Sequence, residues 1–115
     1  MSVVNVKVAY IRSQGFANLR EWMSNPDNVY IGRRGFVFID GHRFPDQDSI
    51  WANPFKVGRH GTREEVIQKY RNYIEEKLKD STYKEALERL RGKNLGCWCK
   101  PEGCHGDVLL EILDQ

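Results

Sequence analysis

The sequence predicts an α/β fold, a small sandwich built around a mixed β-sheet. Three observations predict this class: β-branched segments come early, two capping-box patterns open helices later, and a strand-like segment precedes a final apolar helix. The 115 residues suffice to bury roughly two-thirds of the unfolded surface without disulfide bonds, so we expect a single domain over residues 1–115. The order of the elements favours a Rossmann-like layout by analogy.

Strands dominate the predicted first half of the chain. Residues 3–11 are rich in β-branched side chains and predict a central strand, which ends before Gly15. Asn18 is positioned to cap a short helix over residues 19–23. Asp40-Gly41 is a strong two-residue hairpin signal. Further strands are predicted at residues 29–31, 36–39 and 42–44.

Helices dominate the predicted second half. Thr62 and Glu65 form a capping-box pattern, which predicts a long helix over about residues 63–79. Thr82 and Glu85 repeat the pattern and predict a helix over about residues 82–91, which Gly92 ends. Apolar residues at helical spacing predict a last helix over about residues 106–114.

One segment near the C-terminus holds all three cysteines. Cys97 and Cys99 alternate with Trp98, which predicts a strand with both cysteines on one face. Residues 100–103 read Lys-Pro-Glu-Gly, typical of a tight turn with Pro at its second position, and this turn should return Cys104 towards Cys99. Cys104 would then lie at a helix N-terminus, where unpaired N–H groups and the helix dipole favour a thiolate.

Composition and charge exclude several functional classes. A net charge of +2 is too weak a basic excess to indicate nucleic-acid binding by itself. The N-terminus does not resemble a signal peptide, and no apolar run approaches membrane length. An odd number of cysteines, three within eight residues, does not suit a secreted disulfide framework. We therefore expect a cytoplasmic protein without a membrane partner.

One hypothesis for the cysteine-rich segment is a transition-metal site, for which zinc suits the ligand types, while the cofactor itself stays open. Cys97, Cys99 and Cys104 would be thiolate ligands, with His105 or a distant histidine as the fourth. The Cys-x-Cys spacing differs from the Cys-x-x-Cys of zinc knuckles, and the adjacent Cys104 and His105 cannot easily both turn to one ion. The alternatives are buried structural cysteines and a reactive Cys104 thiolate paired with a histidine.

Polar clusters in four loops predict a ligand pocket at the carboxyl ends of the strands. Arginines and a helix N-terminus would hold phosphate, while a tryptophan and an amide would hold a base by stacking and edge-on hydrogen bonds. The predicted ligand-binding residues are Arg33, Trp51, Asn53, Arg59, Thr62 and Arg63, and the predicted catalytic residues are Cys104, His105 and Asp107.

Each of these assignments has a structural alternative. Thr62 already has a capping partner in Glu65, which would satisfy that helix end without any ligand. Trp51 can belong to the core while Asn53 ties down the loop backbone. Arginines in such loops are often solvent-exposed residues at the rim of a fold, without a ligand. Asp107 can cap the last helix.

Four motifs occur together in the chain: Tyr30-Ile31-Gly32-Arg33, Trp51-Ala52-Asn53-Pro54-Phe55, the segment at residues 61–71, and Gly96-Cys97-Trp98-Cys99 with Cys104-His105-Gly106-Asp107. Together they resemble the domain of unknown function numbered 4326, a family found in phages, large DNA viruses and cellular genomes. The resemblance covers about residues 29–113 and implies no activity. Ala52 stands where the family usually has Gly, and the segment at residues 35–49 is longer than usual.

These patterns lead to three functional hypotheses. The first is binding of a nucleotide-, nucleoside- or ADP-ribose-like ligand in the loop pocket, with hydrolysis or glycosyl-bond transfer as the expected chemistry. The second is a zinc-stabilised module that binds nucleic acid or protein, which the modest net charge weakens. The third is a protein that sequesters a nucleotide without turnover. The sequence leaves the oligomeric state open.

Overall fold

The computed structural model describes residues 2–115 and has an α/β fold, as predicted. Within those residues it contains five helices and two small sheets. No helix in this part of the chain has the length and apolar character to span a bilayer. The elements in chain order are β1 (Ser2–Asn5), α1 (Val8–Arg12), α2 (Leu19–Ser24), β2 (Asn28–Tyr30), β3 (Val37–Ile39), β4 (His42–Phe44), α3 (Arg63–Lys77), α4 (Ser81–Glu88), β5 (Asn94–Cys97) and α5 (His105–Leu113).

The larger sheet has three parallel strands in the order β1-β5-β2. The last strand therefore lies between the two earliest, with Leu95 opposite both Val3 and Val29. In the described part of the chain, the predicted mixed sheet is in fact two sheets, because the antiparallel strands β3 and β4 pair only with each other. Each half of a Rossmann sheet places strands that follow one another in the chain side by side, and the order β1-β5-β2 does not.

Helices cover both faces of the parallel sheet. Leu95 and Cys97 of β5 pack on one face with buried residues of α3, α4 and α5. On the other face, Trp22 of α2 belongs to a second cluster with Val6. A Cβ atom added at Gly96 would lie 2.5 Å from the Trp22 ring, so only glycine allows this close approach of helix and strand.

The strand predicted at residues 3–11 is shorter than expected and lies at an edge rather than in the centre. The side chain of Asn5 explains its end. Its Oδ1 accepts a hydrogen bond from the Lys7 N–H at 2.8 Å, and its Nδ2 donates to the Lys100 carbonyl at 2.6 Å. This local turn competes with the strand ladder, and the β-branched residues that follow enter α1 instead.

The predicted N-terminal caps are confirmed at two helices. Asn18 accepts from the Glu21 N–H at 2.9 Å, and Thr62 and Glu65 form the reciprocal capping box. The third prediction is wrong by one residue at the helix start and by two residues at the cap: α4 begins at Ser81, and its cap is Asp80 rather than Thr82. The predicted ends of the two long helices also lie two or three residues too late.

The predicted hairpin is confirmed. Asp40 has φ 53° and Gly41 has φ 78°, the left-handed pair that a two-residue type I′ turn requires. Ile39 and His42 are therefore opposite each other at the start of the ladder.

The turn after Cys99 begins one residue earlier than predicted. The Glu102 N–H donates to the Cys99 carbonyl at 2.9 Å, so Pro101 occupies the third position of the turn, and the Lys100–Pro101 peptide bond is cis. The turn still returns the chain as expected. The final helix then begins at His105, with Cys104 as its N-cap.

Candidate functional site

A cavity of about 430 Å³ opens at the carboxyl end of the parallel sheet. Gly32 and Arg33 follow β2, and Trp98 follows β5, so both strands contribute to its wall where open α/β sheets usually bind ligands. The first turns of α3 and α5 close the other sides. The cavity is lined by Gly32, Arg33, Phe36, Asn53, Phe55, Lys56, Val57, Arg63, Val66, Ile67, Cys97, Trp98, Cys99, Gly103, Cys104 and His105.

The cavity brings together seven residues that the sequence singled out from separate segments. They are Arg33, Asn53, Arg63, Cys97, Cys99, Cys104 and His105. A cavity therefore exists at the carboxyl ends of the strands, where the sequence predicted a pocket.

Cys97, Cys99 and Cys104 form one group, here called the thiol cluster. Their sulfur atoms all lie within 4.8 Å of one another, and the three are free cysteines. The Cys104 Sγ is 2.8 Å from the Cys97 Sγ. Strand alternation turns Cys97 and Cys99 to the same side, and the turn that follows brings back Cys104. Cys97 and Cys104 are buried, while Cys99 is half-buried and the most accessible of the three.

The thiols have divergent acidities. Hydrogen bonds from the Cys104 and Cys97 thiols, together with the guanidinium of Arg63, hold the pKa of Cys99 well below its usual range. Hydrogen bonding to its two neighbours, added to burial, raises the pKa of Cys104 well above its usual range. The directions of these pKa shifts favour Cys99 for the first negative charge of the cluster, whereas the reactive thiolate at Cys104 stays a prediction.

His105 lies at the base of the cavity and is only 8% exposed. Its Nε2–H donates to the Ile31 carbonyl at 2.7 Å, which assigns the proton to Nε2 and leaves Nδ1 as an acceptor. That Nδ1 is 3.5 Å from the Cys104 Sγ. Burial lowers the pKa of His105, so the ring is neutral near pH 7.

Arg33 joins the loop after β2 to the loop at residues 53–55. Its Nε donates to the Asn53 carbonyl at 3.0 Å, and an Nη donates to the Phe55 carbonyl at 3.2 Å. Both partners are neutral, so these bonds orient the guanidinium without cancelling its charge. The Asn53 Oδ1 accepts from the Phe55 N–H at 2.9 Å, as the loop-tying alternative predicted.

Arg63 at the start of α3 reaches across the mouth of the cavity to the loop before α5. It forms an ion pair with Glu102 at 3.0 Å and donates to the Gly103 carbonyl at 3.2 Å. Lys56 adds an exposed cation at the rim. Among the described residues, no carboxylate lines the cavity itself.

An aromatic wall, which the sequence did not reveal, closes one side. Phe36 stacks on Trp98 with ring centroids 5.0 Å apart and 13° between the planes. The Trp98 Nε1–H donates to the Tyr30 hydroxyl at 2.7 Å, which in turn donates to the Arg33 carbonyl at 2.6 Å. The one available signal was the alternation that turns Trp98 away from the cysteines, and nothing in the sequence pairs it with Phe36.

Four predicted site residues do not line the cavity. Trp51 is 3% exposed and packs its ring edge-on against Tyr83 in the core. Thr62 is occupied by the capping box, and Arg59 lies on an exposed loop. Asp107 accepts from the Cys104 N–H at 3.0 Å and pairs with Lys100 at 2.7 Å, so it stabilises the start of α5 from the third helical position, whereas the cap itself is Cys104 and not Asp107 as the capping alternative had it.

Comparisons with known proteins identify relatives without a stated activity. A family model described as "Domain of unknown function (DUF4326)" matches residues 16–115. Uncharacterized protein R718 of Acanthamoeba polyphaga mimivirus is 35% identical over 103 residues, covering 83% of this chain and 72% of that protein. An uncharacterized 12.4 kDa protein in the nrdA-td intergenic region of Enterobacteria phage T4 is 38% identical over 69 residues, covering 58% of this chain and 62% of that protein. No solved structure matches the chain.

Proposed function

This chain belongs to the family described as a domain of unknown function (DUF4326), and we propose that it binds a nucleotide-, nucleoside- or ADP-ribose-like ligand in the cavity beside the thiol cluster. One observation carries the proposal. A single cavity of small-molecule size combines positive charge with an aromatic wall.

The charge of the cavity favours an anionic group on the ligand. Arg33, Lys56 and Arg63 contribute cations, and within residues 2–115 only Arg63 has an acidic partner, at the exposed mouth. Arg33 is held by two neutral carbonyls, so its orientation is set before any ligand arrives. Preorganised guanidinium groups form strong charge-assisted bonds with phosphate.

The apolar part of the cavity favours a flat ring or a sugar face. Phe36 is 48% exposed although it stacks on Trp98, which leaves aromatic surface available to a base. Phe55 and two aliphatic residues of α3, Val66 and Ile67, complete this surface. An aromatic wall a short distance from cations is the combination that nucleotides require, whereas a free inorganic anion would use only the cations.

A hydrolysis or glycosyl-transfer reaction would use the groups at the thiol end of the cavity. His105 has a neutral ring with Nδ1 available as a proton acceptor, and Cys99 is the most accessible sulfur. Asp107 has no part in this proposal, because both its carboxylate oxygens are engaged away from the cavity. A protein that sequesters the ligand without turnover would use the same binding contacts, and analysis of the recovered ligand separates the two.

The test is a titration of the reduced protein with AMP, ADP-ribose, adenosine and inorganic phosphate, followed by calorimetry and thermal unfolding. We expect AMP or ADP-ribose to raise the Tm and to bind more tightly than adenosine or phosphate alone. Arg33→Ala should weaken binding by about 10- to 100-fold, because the loss of one hydrogen bond to a charged group lowers the binding free energy by a corresponding amount.

The matched control is Arg34→Ala, because Arg34 is adjacent and exposed but does not line the cavity. It should leave the affinity unchanged. Since Arg33→Ala also removes two loop contacts, Lys56→Ala provides a second variant at the rim, with an expected loss of several-fold and no change in the Tm of the free protein. No response to any of the four ligands at millimolar concentration, or equal losses for Arg33→Ala and Arg34→Ala, would refute the proposal.

A further inference from the structure

We propose that the thiol cluster binds one zinc ion through the three sulfur atoms of Cys97, Cys99 and Cys104, and that the fourth coordination position faces the cavity. This site forms part of the wall of the proposed ligand pocket but does not depend on any nucleotide. The structure brings the three sulfur atoms within 4.8 Å of one another.

The spacing of the sulfur atoms suits a single ion. With Zn–S bonds of about 2.3 Å, tetrahedral geometry separates two sulfur ligands by about 3.8 Å. The observed upper limit of 4.8 Å is compatible with that separation, and the Cys97 and Cys104 sulfur atoms, now 2.8 Å apart, would separate by about 1 Å. Such a change is within reach of small rotations about the Cα–Cβ bonds.

The backbone around each thiol is held independently of a metal. Cys97 is paired in register with Asn5 at the end of β5. The Cys99 carbonyl accepts from Glu102 at 2.9 Å in the turn, and the Cys104 N–H donates to Asp107 at 3.0 Å at the start of α5. A preorganised set of ligands lowers the entropic cost of binding the ion.

No protein side chain in residues 2–115 completes the site. The group of ligand atoms within 4.8 Å of one another contains the three cysteines and no fourth His, Cys, Asp or Glu. His105 lies beside this group rather than within it, because its Nε2 is directed to the Ile31 carbonyl and its Nδ1 approaches only the Cys104 sulfur. Three protein ligands with a vacant position are typical of reactive zinc sites, whereas structural sites use four.

The charge balance also favours a metal with an exchangeable fourth ligand. Zinc with three thiolates carries a single negative charge. The N-terminus of α5, where Cys104 is the cap, and the guanidinium of Arg63 beside Cys99 offset that charge. Because all three cysteines line the cavity, the vacant position is accessible to water or to a donor atom of a ligand.

The test uses the full chain, reduced and freed of metal, titrated with Co²⁺ as a spectroscopic substitute for zinc. We expect saturation at one Co²⁺ per chain, with sulfur-to-cobalt charge-transfer absorption and the intense visible bands of four-coordinate cobalt. Zinc should displace the cobalt. Adding imidazole to the cobalt protein should shift the visible bands, because it occupies the exchangeable position.

Three variants separate the ligands from their surroundings. Cys99→Ser should weaken metal binding by more than about 100-fold. Mutation of residues that only hydrogen-bond to a metal ligand already lowers metal affinity by up to about that factor. His105→Gln should keep one metal per chain. His60→Asn is the matched control, because His60 lies outside the cavity on a loop and should leave binding unchanged.

Three outcomes would overturn the inference. The first is the absence of charge-transfer absorption with all three thiols titratable. The second is a cobalt spectrum that does not change when imidazole is added. This result would identify a site without an exchangeable position, as in a structural zinc module. The third is loss of metal in His105→Gln but not in Cys99→Ser. None of these measurements uses a nucleotide, so the failure of the metal site is distinguishable from failure of the ligand pocket.

Discussion

At the scale of single residues, Tyr30 connects the fold to the cavity. It is 6% exposed and ends β2. Its hydroxyl accepts from the Trp98 ring and donates to the Arg33 carbonyl, so one side chain orients both the aromatic wall and the loop that holds the guanidinium. Burial raises the pKa of Tyr30 from 10.0 to about 12.

This pKa predicts how stability depends on alkaline pH. A folded-state pKa above the unfolded value contributes stability that is fully present below pH 10 and is lost as the pH rises towards 12. At neutral pH, Tyr30→Phe should cost roughly 1–3 kcal/mol, because it leaves the Trp98 N–H and the Arg33 carbonyl without their partner. Urea unfolding of both proteins from pH 8 to 11 should show this difference shrink above pH 10.

Tyr10→Phe is the matched control, because Tyr10 is 50% exposed and its loss should change stability little. A difference between wild type and Tyr30→Phe that stays constant to pH 11 would contradict the assigned pKa.

At the scale of elements, helix starts were the most predictable part of the chain. A capping box involves only residues within one turn, so Thr62 and Glu65 reveal α3 without any tertiary information. The hairpin at Asp40-Gly41 is equally local. The start of α4 was misassigned because Asp80 and Thr82 are both good caps two residues apart, and Leu87 and Leu90 fit the core with either start.

The two candidate caps of α4 can be separated by mutation. The Asp80 side chain accepts from the Thr82 N–H at 2.8 Å, so Asp80→Ala should cost about 0.5–2 kcal/mol of unfolding free energy. Thr82→Ala should change it by less than about 0.5 kcal/mol, because Thr82 lies inside the helix. Chemical denaturation of the two variants measures both values, and the reverse order would assign the cap to Thr82.

At the scale of the whole molecule, β5 is the centre of the structure although it comes late in the chain. Residues 94–96 of β5 pair with a strand on each side. Two carbonyls of β5 also accept hydrogen bonds from the backbone N–H groups of Val6 and Ile31, the residues that follow β1 and β2, at 3.0 Å each. Among the described residues, β3 and β4 pair only with each other, and the Phe38 side chain of this hairpin is 66% exposed. These environments predict different local stabilities.

Hydrogen exchange should report that difference. We expect the backbone amides of β5 to exchange most slowly among the strands, at rates approaching those set by global unfolding. The amides of β3 and β4 should exchange faster by local opening, since a two-stranded hairpin is marginally stable by itself. Native-state exchange followed by NMR measures both sets, and equal protection of the hairpin and β5 would contradict a structure organised around β5.

The candidate site was predictable only in part, and for a physical reason. Because the cysteines are close in the chain, alternation predicted a common face for Cys97 and Cys99 and the turn predicted the return of Cys104, but the sequence left open whether the three thiols meet. Trp51 and Phe36 show the limit: both are aromatic residues next to polar loops, yet Trp51 is buried in the core and Phe36 faces the cavity. Only the packing of distant segments separates such cases.

By itself, the sequence determined the α/β class, the caps of α2 and α3, the hairpin and the common face of Cys97 and Cys99, because each depends on contacts within a few residues. The tertiary structure decided the edge position of β1, the central position of β5, the burial of Trp51 and the stacking of Phe36 on Trp98. These features depend on which distant segments pack together and exclude water. Because the hydrophobic effect is not directional, a local sequence pattern does not encode which segments will pack against each other.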